Sequence, residues 1–244
     1  IHILEHIDRL VEIFNACWPM YAAMPAVLKD AIERSYQKVG WDLRNSESEK
    51  GIFPTFFDLL DILPGVIEES HYSKDTQSDY VGALCTRVKS LTNGIYGSVL
   101  CAEDALSDAE MFDQNVIVDL SRVGSMETKS LLMGILVMKL QEYRMCSSGM
   151  NSRLRHVTVL EEAHNLLRKT SAEQSQEGAN LQGKSVEMLA NAIAEMRTYG
   201  EGFIIADQAP GLLDMSVIRN TNTKIILRLP DEEDRVAGGS ALQD

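Results

Sequence analysis

A chain of 244 residues, 45% of them hydrophobic, can bury a sizeable core as one large domain or as one domain carrying an insertion. Its net charge of −13 is uneven, with 9 basic against 18 acidic residues in 1–112 and 14 against 18 in the remainder, which argues against a broad phosphate-neutralising surface on the first part. No apolar run approaches the roughly 20 residues of a membrane-spanning helix, no signal-peptide order opens the chain, and Cys17, Cys85, Cys101 and Cys146 lack metal or disulfide spacing, so a cytoplasmic protein without membrane insertion is expected.

From Ile1 to about Met111 the apolar residues follow helical spacing, first at Ile3, Ile7, Leu10, Val11 and Phe14. Trp18-Pro19 ends that helix, and Pro25 suits the first turn of a second one running to about Val39. Pro54 opens a third, and a fourth runs from Ser78 to Asn93-Gly94. Residues 1–112 are therefore expected to form an all-α bundle.

Beyond Asp113 the pattern changes to short apolar runs alternating with helices. NVIVDL (115–120), HVTVL (156–160), GFIIAD (202–207) and TKIILRL (223–229) read as strands, with helices over 128–144 and 185–200 between the first three. Such alternation specifies a parallel sheet covered by helices, whose ligands bind beyond the carboxyl ends of the strands. The polar stretch from Lys169 to Gly183 has no apolar period and reads as a mobile loop, and the acidic run Asp231 to Asp234 as a solvated loop.

Within that polar stretch, GANLQGKS (178–185) satisfies the G-x-x-x-x-G-K-[ST] pattern of a phosphate-binding loop. A working loop needs a buried strand feeding it and a helix leaving it, so that backbone N–H groups converge on the phosphates. RKTSAEQSQE precedes Gly178 and contains no strand, so the match reads as chance and Lys184-Ser185 as a helix start. Taken at face value, the pattern would instead make the chain a rearranged nucleotide-binding protein.

The strand ends carry the candidate chemistry. Glu161 and Glu162 follow HVTVL, and adjacent residues there point in different directions. One carboxylate can face hydrated magnesium and the other an attacking water, as nucleoside triphosphate hydrolysis requires; alternatively the pair favours the amino end of a following helix. Gln208 follows the next strand, and its amide can hold a water and touch a phosphate oxygen at once, or serve as a turn residue before Pro210. Arg197 and Arg228 are suited to stabilising phosphoryl charge or to surface ion pairs. His164 reads as a surface or satisfied residue, and Met133, Met138 and Met196 as core filler.

Over about 113–235, the order LEEAH, AEMRTYGEGFIIADQAP and VIRNTNTKIILRL resembles the Walker B, sensor and arginine-bearing segments of HerA/FtsK-type ATPases, especially bacterial HerA-like ATP-binding proteins and the related conjugative type IV secretion ATPases. The helical first part resembles in layout the insertion these ATPases carry between glycine loop and Walker B strand. The resemblance implies an α/β fold, a partial RecA-like P-loop ATPase core over 113–244 preceded by an all-α helical insertion over 1–112. It implies ATP and Mg2+ as cofactors, with Glu161 helping to hold the metal and Glu162 polarising the lytic water. Gln208 would be the sensor, and Arg197 or Arg228 would reach a neighbouring subunit's nucleotide. It further implies a homo-hexamer, double-stranded DNA contacted through pore loops, and a nuclease or secretion-system partner. The family commonly has Asp where this chain has Glu161, and it places its glycine loop before the helical insertion. The expectation is an ATP-driven DNA translocase represented by part of its catalytic domain and inactive alone. A secretion or conjugation ATPase, and a non-catalytic scaffold that has lost the nucleotide loop, remain as alternatives.

Overall fold

The computed structural model describes residues 1–102, 104–170 and 176–240, in two compact units. The first comprises 1–11 and 20–106, the second 12–19 and 107–244. The chain is mixed α/β.

Helix α1 spans Ile3–Cys17, before Pro19, and α2 spans Met24–Lys38 with its proline in the first turn, where a missing N–H costs nothing. Next comes a short antiparallel hairpin, β1 (Trp41–Asp42) with β2 (Glu47–Ser48), so this unit is not all-α. Asp42 closes the turn by accepting the N–H groups of Arg44 and Asn45. Helix α3 (Phe56–Glu69) begins after Thr55, which shares a capping box with Asp58; Pro54 lies just outside it. The expected fourth helix starts earlier, as α4 (Lys74–Tyr80) capped by Ser73, and continues through a π turn over Val81–Cys85 into α5 (Thr86–Thr92). Helix α6 (Gly94–Leu100) follows. Ile7, Leu28, Leu63, Ile67, Tyr80, Leu84 and Leu91 are fully buried, and burial of such side chains, at about 1.5–3 kcal/mol each, is what holds the helices together.

In the second unit α7 (Asp108–Phe112) precedes residues 115–120, which form no strand and leave Ile117 94% exposed. This corrects the strand expected there. A β-branched run becomes a strand only when a neighbouring backbone pairs with it. The same correction applies to 223–229, which has no regular structure and exposes Ile225 and Leu227. Helix α8 (Met126–Ser147) is capped by Ser125 and buries Met133 and Met138. The sheet consists of two parallel strands, β3 (His156–Glu161) and β4 (Glu201–Ala206), with His156 opposite Glu201 and Glu161 opposite Ala206. Val157, Val159 and Ile204 share one face by strand alternation, and that face is exposed.

Between the strands, α9 (Gln176–Glu195) overturns the loop expected through Gly183; residues 171–175 lie outside the described ones. A short 3-10 turn, Met196–Tyr199, ends at Gly200, whose φ of 83° lies where a side chain is disfavoured. After β4 come a 3-10 turn over Pro210–Leu212, α10 (Met215–Asn220) and α11 (Glu232–Ser240). The acidic run is thus the first turn of a helix, where negative charge is favoured, with Asp231 accepting the Glu233 N–H at 2.9 Å.

Candidate functional site

Residues 178–185 lie wholly inside α9, where the backbone N–H groups past the first turn belong to helical hydrogen bonds and cannot converge on an anion. Lys184 is exposed in mid-helix, while Ser185 is buried and donates its hydroxyl to Glu12 Oε2 at 2.6 Å. Neither residue is a helix start, and the pattern at 178–185 is not a phosphate cradle.

The parallel pairing of β3 and β4 brings Glu161, Glu162 and Gln208 to one end of the sheet. Glu161 closes β3 on the face of Val157 and Val159 and is exposed. Glu162 then leaves the strand in the left-handed region, at φ 52° and ψ 46°, a conformation that costs a non-glycine residue about 1 kcal/mol or more. Its Oε1 accepts the Gln208 side-chain N–H at 3.1 Å, and the carboxylate stays 46% exposed.

Several hydrogen bonds hold the kink. Asn165 donates both its main-chain N–H and its side-chain amide to the Glu162 carbonyl oxygen, each at 2.9 Å. The two loops leaving the strands also pair with each other, Lys169 N–H donating to Leu212 O and Asp214 N–H to Leu167 O, both at 2.9 Å. Such cross-links keep the strand ends from separating.

Asp207 is the residue the sequence reading passed over. Its side chain is 3% exposed, and it accepts the His164 main-chain N–H at 2.7 Å, the His164 ring at 2.9 Å and the Ala209 N–H at 2.8 Å. His164 is accordingly half-buried and satisfied, with Nδ1 also 3.6 Å from Glu162 Oε2. The signal available in sequence was the same one that marked Glu161 and Glu162, a carboxylate directly after an apolar strand.

Neither arginine is bonded to this site among the described residues. Arg197 lies in the turn before β4, on the far side of a six-residue strand about 20 Å long, and Arg228 is exposed in the irregular segment after Asn222. Among the described residues neither makes a hydrogen bond or ion pair to Glu162 or Gln208.

A second polar cluster sits at the opposite end of the strands. Glu201, fully buried, accepts from Arg144 Nε at 2.8 Å and from Thr158 Oγ1 at 2.7 Å, and lies 2.7 Å from His156 Nδ1. Arg144 also donates to Asp113 Oδ1 at 2.6 Å and to the Phe112 carbonyl. The Tyr143 hydroxyl, followed by the Arg144 guanidinium, holds the Asp113 carboxyl below its ordinary range. No ring position or spacing in the sequence announces this cluster, because burial of a helix-terminal arginine is a tertiary fact. No family model, no curated protein and no solved structure matches the chain.

Proposed function

We propose that residues 113–240 carry the Walker B and sensor part of an ATP-hydrolysing motor of the DNA translocase type. What carries the reading is the 3.1 Å contact between Glu162 and Gln208 at the carboxyl ends of two adjacent parallel strands. This is where ligands bind in open parallel sheets. A half-exposed carboxylate on kinked backbone is available to accept a proton from water, and the amide beside it can orient that water.

The donor set fits magnesium bound through few protein ligands. Glu161, exposed at the carboxyl end of β3, offers one carboxylate, and Mg2+ with a nucleotide takes one or two carboxylates and completes its shell with water and phosphate oxygens. Glu161 would hold it, and when bound the ion neutralises charge developing on the phosphate oxygens. Glu162 removes the proton of the attacking water. Gln208 holds that water in line, and the open apolar face beside Glu161 adjoins the site.

Because 178–185 is helical, it does not supply the phosphate cradle of this motor. The motor acts as a homo-hexamer, with Arg197 or Arg228, both exposed, acting on a neighbouring subunit's nucleotide. One observation favours a type IV secretion or conjugation ATPase as a second reading: the acidic balance of residues 1–112, which suits protein cargo better than a phosphate backbone.

The test is steady-state hydrolysis of magnesium-ATP by the protein with its glycine loop. Glu162→Gln is expected to lower kcat by about 100-fold or more, as loss of a general base does. Stimulation by double-stranded DNA supports the translocase reading, and its absence supports protein cargo. An unaltered rate in Glu162→Gln removes the assignment.

A further inference from the structure

We propose that Asp207 is a positioning residue that clamps the two strand ends together and thereby holds Glu162 and Gln208 in register; the inference rests on the hydrolytic reading of that pair. A carboxylate this deeply buried is costly unless its oxygens are engaged, and both are: Oδ2 takes the His164 N–H, Oδ1 takes the Ala209 N–H, and the His164 ring donates to the same group. His164 follows Glu162 by two residues, and Ala209 follows Gln208 by one. One side chain therefore fixes the backbone on both sides of the working pair, including the left-handed turn at Glu162.

With the Asp207 oxygens accepting, the His164 ring nitrogen that faces them is the donor. Replacing Asp207 with Asn places an amide N–H against one of three donors that now meet a carboxylate, which breaks the clamp at unchanged volume.

The test compares wild type, Asp207→Asn, Glu162→Gln and the double variant in the full-length protein. Glu162→Gln is expected to lower kcat about 100-fold or more. Asp207→Asn is expected to lower kcat about 10- to 100-fold with KM for ATP within twofold, as misplacement of a reacting group does, and to add nothing in the Glu162→Gln background. Normal kcat in Asp207→Asn beside a slowed Glu162→Gln overturns the clamp and leaves the hydrolytic reading standing. Normal kcat in Glu162→Gln overturns that reading instead. Nitrogen-15 NMR of His164 in the unsubstituted protein tests the contact on which the clamp depends, without a variant that must fold. A protonated Nδ1 is expected, and an unprotonated Nδ1 at neutral pH overturns the clamp.

Discussion

At the amino-terminal end of the β3–β4 pair Arg144 and Glu201 are buried and saturated, whereas at the carboxyl-terminal end the Glu162 carboxylate, beside a buried and saturated Asp207, is half-exposed and carried on strained backbone. Arg144 and Glu201 meet in the first cluster with 4% and 0% of their side chains exposed, and Thr158, His156, Asp113 and Phe112 complete their hydrogen bonds. Glu162, in contrast, has the Gln208 amide at 3.1 Å and His164 Nδ1 at 3.6 Å, a left-handed φ and access to solvent. Saturated charge, in the Arg144–Glu201 pair and in Asp207, holds the strands in place; the half-exposed Glu162 carboxylate keeps access to solvent. The same parallel pairing thus serves as scaffold at one end and as candidate site at the other.

The largest expected effect on stability lies at the saturated end. Arg144→Ala leaves the Glu201 carboxylate buried beside its remaining partners and is expected to destabilise the second unit by about 3 kcal/mol or more, read by denaturant unfolding. A loss below about 1 kcal/mol would show that the two ends do not differ in kind. The double variant with Glu201→Gln should lose less than the sum of the single losses, because both remove the same pairing.

A smaller effect comes from pH. Because the Tyr143 hydroxyl and then the Arg144 guanidinium lower the Asp113 carboxyl in the folded state, its contribution is present above the ordinary aspartate value of about 3.9. It is lost as pH falls through the lower folded value. Acid titration of unfolding should therefore show a shallower loss of stability in Asp113→Asn than in wild type below about pH 4. Equal slopes would detach Asp113 from the cluster.

Much of the candidate site was legible because it follows from alternation alone. HVTVL and GFIIAD read as strands, a helix lies between them, and parallel strands joined in that way put Glu162 and Gln208 at the same end. The prolines at 19 and 25 marked the boundary of α1 and the start of α2 for reasons internal to the backbone. What was not legible depends on distant neighbours. Val116–Val118 and Ile225–Leu227 have strand composition, but a strand also needs a partner's backbone, which no local pattern supplies. Residues 176–183 lack an apolar period and yet form helix, because Gln, Glu, Ala and Leu are good helix formers continuous with the amphipathic half of α9. The kink at Glu162 was also hidden, since glutamate does not announce a positive φ.

The smallest stability change expected is the most pointed. Glycine at position 162 relieves the left-handed strain, about 1 kcal/mol or more, against an entropy cost of roughly 0.5–1 kcal/mol in the unfolded chain. The measurement that tests the central claim most directly is the melting temperature of Glu162→Gly. If the carboxylate is kept on costly backbone for its chemistry, the variant melts at or slightly above the wild-type temperature; a fall of several degrees would make Glu162 a structural residue and contradict the account.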